Sequence, residues 1–144
     1  MRIAITGATG TIGQSLVPLL TAPDIELLLV GRDPERLSTL FPQEENCSYE
    51  ALSERGKGFD LLLHLAVVNT DSQSSGATFH AVNVDLTVMV AISAKRAGIP
   101  RFVNISSVHA LDGQDFSPYA KTKREATKRL ASMEGIDVLT IYLP

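Results

Sequence analysis

Apolar positions fall in short blocks separated by polar or glycine-rich breaks, and the blocks alternate in character. Arg2-Ile3-Ala4-Ile5, Glu26 to Val30, Asp60 to Val68, Arg101 to Ile105 and Asp137 to Tyr142 are strand-sized and rich in branched side chains. Between them run stretches with helical spacing. Ile12, Leu16, Leu19 and Leu20 form one stripe, and Leu37, Leu40 and Phe41 suit a short second helix. Val82, Leu86, Met89, Val90 and Ala94 carry a longer helix over about 78–97, closed by Gly98 and barred from continuing by Pro100. A helix apolar this far round its circumference is expected to be buried on more than one side. The last helix starts at Ser117-Pro118, an N-cap followed by a proline suited to the first turn, and runs to about Met133. Residues 37–59 are the hardest to read. A strand near Asn46-Cys47-Ser48 is weakly signalled, Tyr49, Ala51 and Leu52 suit a short piece, and Arg55 to Gly58 is a turn. Asn69 to Gly76 is polar and reads as a loop.

Strands alternating with helices predict an α/β fold with a parallel, doubly wound sheet of about six strands. The 144 residues make one domain, 1–144, large enough to bury roughly two-thirds of its unfolded surface. Apolar content of 44% with 20% charged residues is that of an ordinary globular chain rather than a disordered one. Net charge is −3 and no strongly basic face stands out, so nucleic acid is not the expected partner. Lys121, Lys123, Arg124, Lys128 and Arg129 are expected on the wet side of the last helix. Cys47 is alone, which excludes a disulfide framework and a cysteine-based zinc site. A cytoplasmic setting is expected from that lone cysteine and from an N-terminus without signal-peptide character. The apolar runs are read as strand-sized, so no membrane span is expected. No metal is expected, because His64 and His109 each lack a second ligand at a binding spacing. His64 is read as a hydrogen-bonded structural histidine, and His109 as a residue lining a substrate site.

Two stretches carry chemistry. Thr6-Gly7-Ala8-Thr9-Gly10-Thr11-Ile12-Gly13 links the first strand to the first helix. Glycines at 7, 10 and 13 allow a tight turn, close approach of the backbone to a pyrophosphate, and close packing of helix on strand. Arg32 ends the second strand, 25 positions after Gly7, with Asp33 following it. An acid near this point binds the ribose 2′-hydroxyl of NAD, whereas an arginine accommodates the 2′-phosphate of NADP. The guanidinium at Arg32 points to NADP, with Arg36 as a second contact and NAD as the alternative. The other stretch is Tyr119-Ala-Lys-Thr-Lys123. On a helix, Tyr119 and Lys123 share a face. An ammonium beside a phenol favours the phenolate, which suits proton transfer to or from an alcohol or carbonyl.

These residues, in this order, resemble the short-chain dehydrogenase/reductase family, in its extended branch of epimerases and dehydratases. The likeness rests on Thr6-Gly7-x-x-Gly10-x-x-Gly13, Asp60-x-x-x-His64-x-Ala66, Asn83-Val84-x-x-Thr87, Phe102-Val103-x-x-Ser106-Ser107 and Tyr119-x-x-x-Lys123. It implies a Rossmann fold and a Ser-Tyr-Lys site. Tyr119 would be the general acid/base, and Lys123 would favour its phenolate and hold the nicotinamide ribose. Ser107 would hydrogen-bond the reacting oxygen. Asn83 would support the lysine through backbone and water, although a helix N-cap explains an asparagine there equally well. Gly7, Thr9, Gly10, Thr11, Ile12 and Gly13 would border the pyrophosphate, and Leu65, Ala66 and Val67 the nucleotide. The substrate would be a small molecule, by analogy a nucleotide-linked sugar. The resemblance also implies a homodimer through the 78–97 and 118–133 helices. Relatives of this kind continue into a C-terminal substrate part that these residues lack. A fragment, a naturally short protein and a chain completed by a partner all fit. An NADP(H)-binding sensor without chemistry is the alternative function.

Overall fold

A computed structural model describes residues 1–68 and 75–144. Six strands form one sheet: β1 (Arg2–Thr6), β2 (Glu26–Gly31), β3 (Glu45–Ser48), β4 (Leu61–His64), β5 (Arg101–Ser107) and β6 (Asp137–Leu143). Every pairing is parallel, in the order β3-β2-β1-β4-β5-β6. The helices are α1 (Thr11–Leu16, continued by a 3-10 turn Val17–Leu20), α2 (Pro34–Leu40), α3 (Leu52–Arg55), α4 (Gly76–Ala97) and α5 (Pro118–Ala131).

The order reverses at β1, and handedness then decides where the helices go. A parallel crossover is almost always right-handed. Connections stepping from β1 towards β3 therefore cover one face, and those stepping from β4 towards β6 cover the other. The core divides accordingly. Ile3, Ile5, Leu27 and Leu29 pack under Val17 and Leu37 on the α1/α2 face. Ala4, Leu28, Leu62 and Phe102 pack under Val90, Ala91, Ala94 and Leu130 on the α4/α5 face. Alternation along each strand thus feeds two cores from one sheet. The crevice at the reversal point, outside the carboxyl ends of β1 and β4, is where open sheets of this kind bind ligands.

Several elements differ from the sequence reading. The weakly signalled third strand forms, at the sheet edge, with Cys47 as its buried residue. The strand expected over 60–68 stops at His64, and Leu65 to Val68 leaves the sheet. The loop expected over Asn69 to Gly76 lies mostly outside the described residues; of its last two residues, Ser75 is the N-cap of α4, accepting from the Thr78 amide, and Gly76 opens the helix. Pro18 ends regular α1, because it has no N–H to continue the ladder. The last helix ends at Ala131 rather than near Met133.

Helix α4 is the broadly apolar helix expected over about 78–97, starting two residues earlier. It is 22 residues long and apolar enough to cross a bilayer by length and composition. Here it lies on the sheet, with Val84, Val90, Ala91 and Ala94 fully buried. Its second quarter, Ala81–Leu86, is wound as a π-helix. Such widened turns are frequent at functional sites. Gly98 closes the helix in the left-handed conformation, at φ 77°.

Candidate active site

The glycine loop occupies the reversal crevice. Gly7 has φ 74°, and a Cβ there would sit 2.4 Å from the Ala66 amide nitrogen. A Cβ at Gly13 would come within 2.5 Å of Ala8 Cα and the Gly7 carbonyl. Both positions therefore require glycine for the packing of the loop itself. Gly10 differs, since a Cβ there would meet only the Gly7 carbonyl, at 3.3 Å. Its bare backbone opens into a cleft of about 1010 Å³, large enough for a dinucleotide. A cradle that a side chain would fill fits a pyrophosphate-bearing cofactor.

The same cleft is lined by Gly7, Thr9, Gly10, Thr11, Ile12, Gly13, Arg32, Arg36, Leu65, Ala66, Val67 and Tyr119, all named from the sequence. Arg32 and Arg36 are exposed at its far end. Asp33 caps α2 by accepting from the Arg36 amide at 3.0 Å, so that carboxylate is engaged with the helix. Tyr49 also lines the cleft and was missed, because it follows the poorly signalled β3. Burial raises its phenol pKa, against the pull of Arg32. Val68, Thr78, Val82 and Leu86 complete the wall from the segment after β4 and from α4. Leu65, Ala66 and Val67 thus line the cleft as expected, from beyond the end of the strand rather than within it, and Val68 joins them.

Tyr119 sits in the first turn of α5, after the Ser117 cap, whose hydroxyl accepts from the Ala120 amide. Lys123, one turn on, is 5% exposed, and its ammonium donates to the Ile105 carbonyl at 2.6 Å. Desolvation lowers its pKa to about 8. The expectation that Lys123 and Arg124 lie on the wet side of the helix is therefore wrong. Lys123 shares the buried stripe of Ala126 and Leu130. Arg124 donates to the carbonyls of Ala110, Asp112 and Asp115, pinning the short β5–α5 loop against the helix.

Ser107 ends β5 and is buried. Its Oγ accepts from the His109 amide at 3.3 Å, which leaves its own proton free to donate. Ser106 Oγ is buried and unpaired among the described residues. His109 contacts both Ser107, through its amide, and Tyr119, through its ring. Its ring meets Tyr119 edge-on at 6.3 Å, and Nδ1 pairs with Asp115 at 3.0 Å. Hydrogen bonds from the Ser117 hydroxyl and amide, then from His109, hold the Asp115 carboxyl below its usual range.

Asn83 is not a helix N-cap. It lies inside the π-helical turn and is buried. Its side chain clamps the Val68 backbone, accepting from the amide at 2.8 Å and donating to the carbonyl at 3.0 Å. Its second N–H reaches Thr122 Oγ1 at 3.2 Å. The Asn83 carbonyl, expected to serve the lysine through water, accepts from the Thr87 hydroxyl at 3.0 Å. His64 is fully buried, with Nδ1 2.7 Å from Thr6 Oγ1 and Nε2 2.9 Å from Thr87 Oγ1. Burial, then the charge of Lys123, lowers its pKa to about 3, so it is a neutral structural imidazole.

A parallel sheet reversing at β1, a bare glycine cradle at the reversal, and a helix end carrying a tyrosine on the same cleft define a dinucleotide-binding Rossmann protein. The profile of the NAD dependent epimerase/dehydratase family matches residues 3–135, and the chain belongs to that family. A 4-hydroxy-2-methyl-3-oxo-4-farnesyl-3,4-dihydroquinoline-1-oxide ketoreductase from Stigmatella aurantiaca is 28% identical, over 99% of this chain and 49% of its own. An L-arabinose 1-dehydrogenase (NAD(P)(+)) from Haloferax volcanii is 31% identical, over 75% of this chain and 41% of its own. Among solved structures, the UDP-glucuronic acid 4-epimerase from Bacillus cereus in complex with NAD superposes with a TM-score of 0.79 at 18% identity, covering 99% of this chain and 55% of that one. The fold is therefore shared, and the chain spans about half the length of the curated relatives it matches.

Proposed function

We propose that these residues form the cofactor-binding and catalytic half of an NAD(P)-dependent oxidoreductase, epimerase or dehydratase, with Tyr119, Lys123 and Ser107 handling the proton. One observation carries this reading: Tyr119 lies on the same cleft as the glycine cradle, one helical turn from a buried ammonium. A bound nicotinamide supplies or accepts hydride. The chain's own residues do the rest. Ser107, held by the His109 amide, donates to a carbonyl oxygen or steadies a hydroxyl. Tyr119 exchanges the proton with that oxygen. Lys123 is desolvated, so its positive charge acts at short range in a poorly screened site. Asn83 orients the cleft wall at Val68 rather than touching the reacting atoms.

The preferred cofactor is NADP(H), with Arg32 and Arg36 on the 2′-phosphate. Both guanidinium groups line the cleft; Asp33 lines it too, with Oδ1 engaged in the cap of α2. The substrate is a sugar or nucleotide-linked sugar, a class supported by the L-arabinose and UDP-sugar relatives. The setting is cytoplasmic. A homodimer forms through α4 and α5, whose outer faces leave Met89 and Ile92 39% and 38% exposed beside a hollow of about 300 Å³.

The test is direct. The protein is incubated with NADPH or NADH and a panel of L-arabinose, UDP-glucose, UDP-glucuronic acid and simple ketones. Nicotinamide absorbance and product sugars are then followed. Turnover supports the catalytic reading. Cofactor binding without turnover across the panel favours an NADP(H)-binding sensor.

A further inference from the structure

We propose that Thr122 is a positioning residue that couples the placement of Tyr119 to the cleft-lining segment ending at Val68. The proposal rests on the reading of Tyr119 as the proton-transfer group. Thr122 is buried three positions after Tyr119. Its Oγ1 lies 2.7 Å from the Pro118 carbonyl and 3.0 Å from the Tyr119 carbonyl, and one hydroxyl proton is shared between them. Those carbonyls belong to the first turn of α5, so the hydroxyl is an added constraint on the turn that carries the phenol.

A threonine bonding back to its own helix is common and needs no function. What that explanation omits is the third partner. The lone pairs of Thr122 Oγ1 accept from Asn83 Nδ2 at 3.2 Å. The other Asn83 contacts, to the Val68 carbonyl and amide, end on the cleft wall. Both amide protons and the amide oxygen of Asn83 are thus committed. Its orientation is fixed as well, since a flip would set N–H against N–H and oxygen against oxygen at Val68. The result is a bracket across three elements that are remote in sequence: the segment after β4, the π-helical turn of α4, and the first turn of α5. Its two ends, Val68 and Tyr119, line the same cleft. The widened turn matters because it sets Asn83 between both ends. A buried polar network with every member satisfied specifies one arrangement, and loss of one member loosens the others.

Thr122→Val preserves shape and removes the hydroxyl, whereas Thr122→Ser keeps it. Amide hydrogen exchange on the whole chain gives a readout that does not depend on turnover. The Val68 amide is expected to exchange about tenfold faster in Thr122→Val, the cost of one hydrogen bond. Amides of β1 should be unchanged, and Thr122→Ser should match wild type. With NADPH and a substrate that the wild type turns over, Thr122→Val should lower kcat about tenfold through misplacement. KM and the NADPH Kd should stay within about twofold, since the contact is not to ligand, and Thr122→Ser should restore kcat. Unchanged Val68 exchange in Thr122→Val, or a serine variant as impaired as the valine one, overturns the proposal. A wild type that turns over nothing counts instead against the reading of Tyr119, and the exchange result then decides the coupling alone.

Discussion

Thr87 fixes which nitrogen of His64 carries the proton. The Thr87 hydroxyl has one proton, donated to the Asn83 carbonyl at 3.0 Å. Its 2.9 Å contact with His64 Nε2 must then be donated by the ring. Nδ1 is left as an acceptor for the Thr6 hydroxyl at 2.7 Å. A second ring proton would require the Thr6 hydroxyl to turn and accept, and burial beside Lys123 already opposes that charge.

Acid lability should follow. Folding lowers the His64 pKa from an ordinary 6.5 to about 3. Above pH 6.5 the ring is neutral in both states and its contribution is fully present. As pH falls below that value, the unfolded chain takes up a proton that the folded chain refuses. Stability should drop by up to about 1.4 kcal/mol per pH unit until pH approaches 3. Urea unfolding at pH 7 and pH 4.5 measures the loss, expected to be roughly 2–3 kcal/mol from this residue. His64→Asn should flatten the slope even where it lowers stability at both pH values. Equal slopes in the two proteins would remove the assignment.

Lys123 is expected to cost stability at neutral pH. Its folded pKa of about 8 lies below the ordinary 10.5. Below pH 8 the burial penalty is present in full. Between pH 8 and 10.5 the unfolded chain binds the proton that the folded chain has lost, so stability rises with pH. Lys123→Met should therefore stabilise the protein at pH 7 by roughly 1–3 kcal/mol, after allowing for the orphaned Ile105 carbonyl. The gain should shrink towards pH 10, and turnover should vanish. A methionine variant that melts lower at pH 7 would show that the lysine is structural.

Much of the site was legible because its parts are local in sequence. The glycine loop, the Arg32 strand end and the Tyr119 helix start each occupy a few consecutive residues with their own turn or cap chemistry. Lys123 was misread although the signal existed: it stands three before Ala126 and seven before Leu130, on the buried stripe. A lysine there looks solvated only if charge is weighed above spacing. Strand β3 was obscure because an edge strand of four residues needs only Cys47 to face the core. Other features had no local signal. The π-helical turn has no residue pattern of its own, and the Asn83–Val68–Thr122 bracket appears only when three distant elements meet.

Tyr119→Phe should separate binding from chemistry. The ring and its contact with His109 remain, and only the hydroxyl is lost. Turnover should fall roughly 10²–10⁴-fold, the usual contribution of a positioned acid or base. The NADPH Kd, read by nicotinamide fluorescence, should change less than about twofold. Undiminished turnover would assign the proton to another group.

Arg32→Asp should reverse the cofactor preference. The substitution replaces a phosphate-binding donor with an acceptor suited to a ribose 2′-hydroxyl. A charged hydrogen bond is worth roughly 1.5–3 kcal/mol, so NADPH should bind about 10- to 100-fold more weakly. NADH should bind equally well or better. Parallel titrations with both cofactors give the ratio. An unchanged ratio would place the 2′-phosphate elsewhere or show that the protein prefers NAD.

The outer face of α4 gives the last prediction. Met89 and Ile92 are large, apolar and more than a third exposed, three residues apart and therefore on one side of the helix. Arg129 of α5 joins them around the same hollow. Burying such a patch between two copies removes apolar surface from water at roughly 25 cal/mol per Å², and the two-fold operation places each patch on its equivalent. Ile92→Glu would set two carboxylates into that contact, so the variant should elute as a monomer under conditions where wild type is a dimer. Melting at high dilution should be little changed if α4 is held by its own sheet, because Val90, Ala91 and Ala94 face inward and are untouched. A wild type that sediments as a monomer at every concentration would leave the two side chains as ordinary surface residues and end the case for a dimer through α4 and α5.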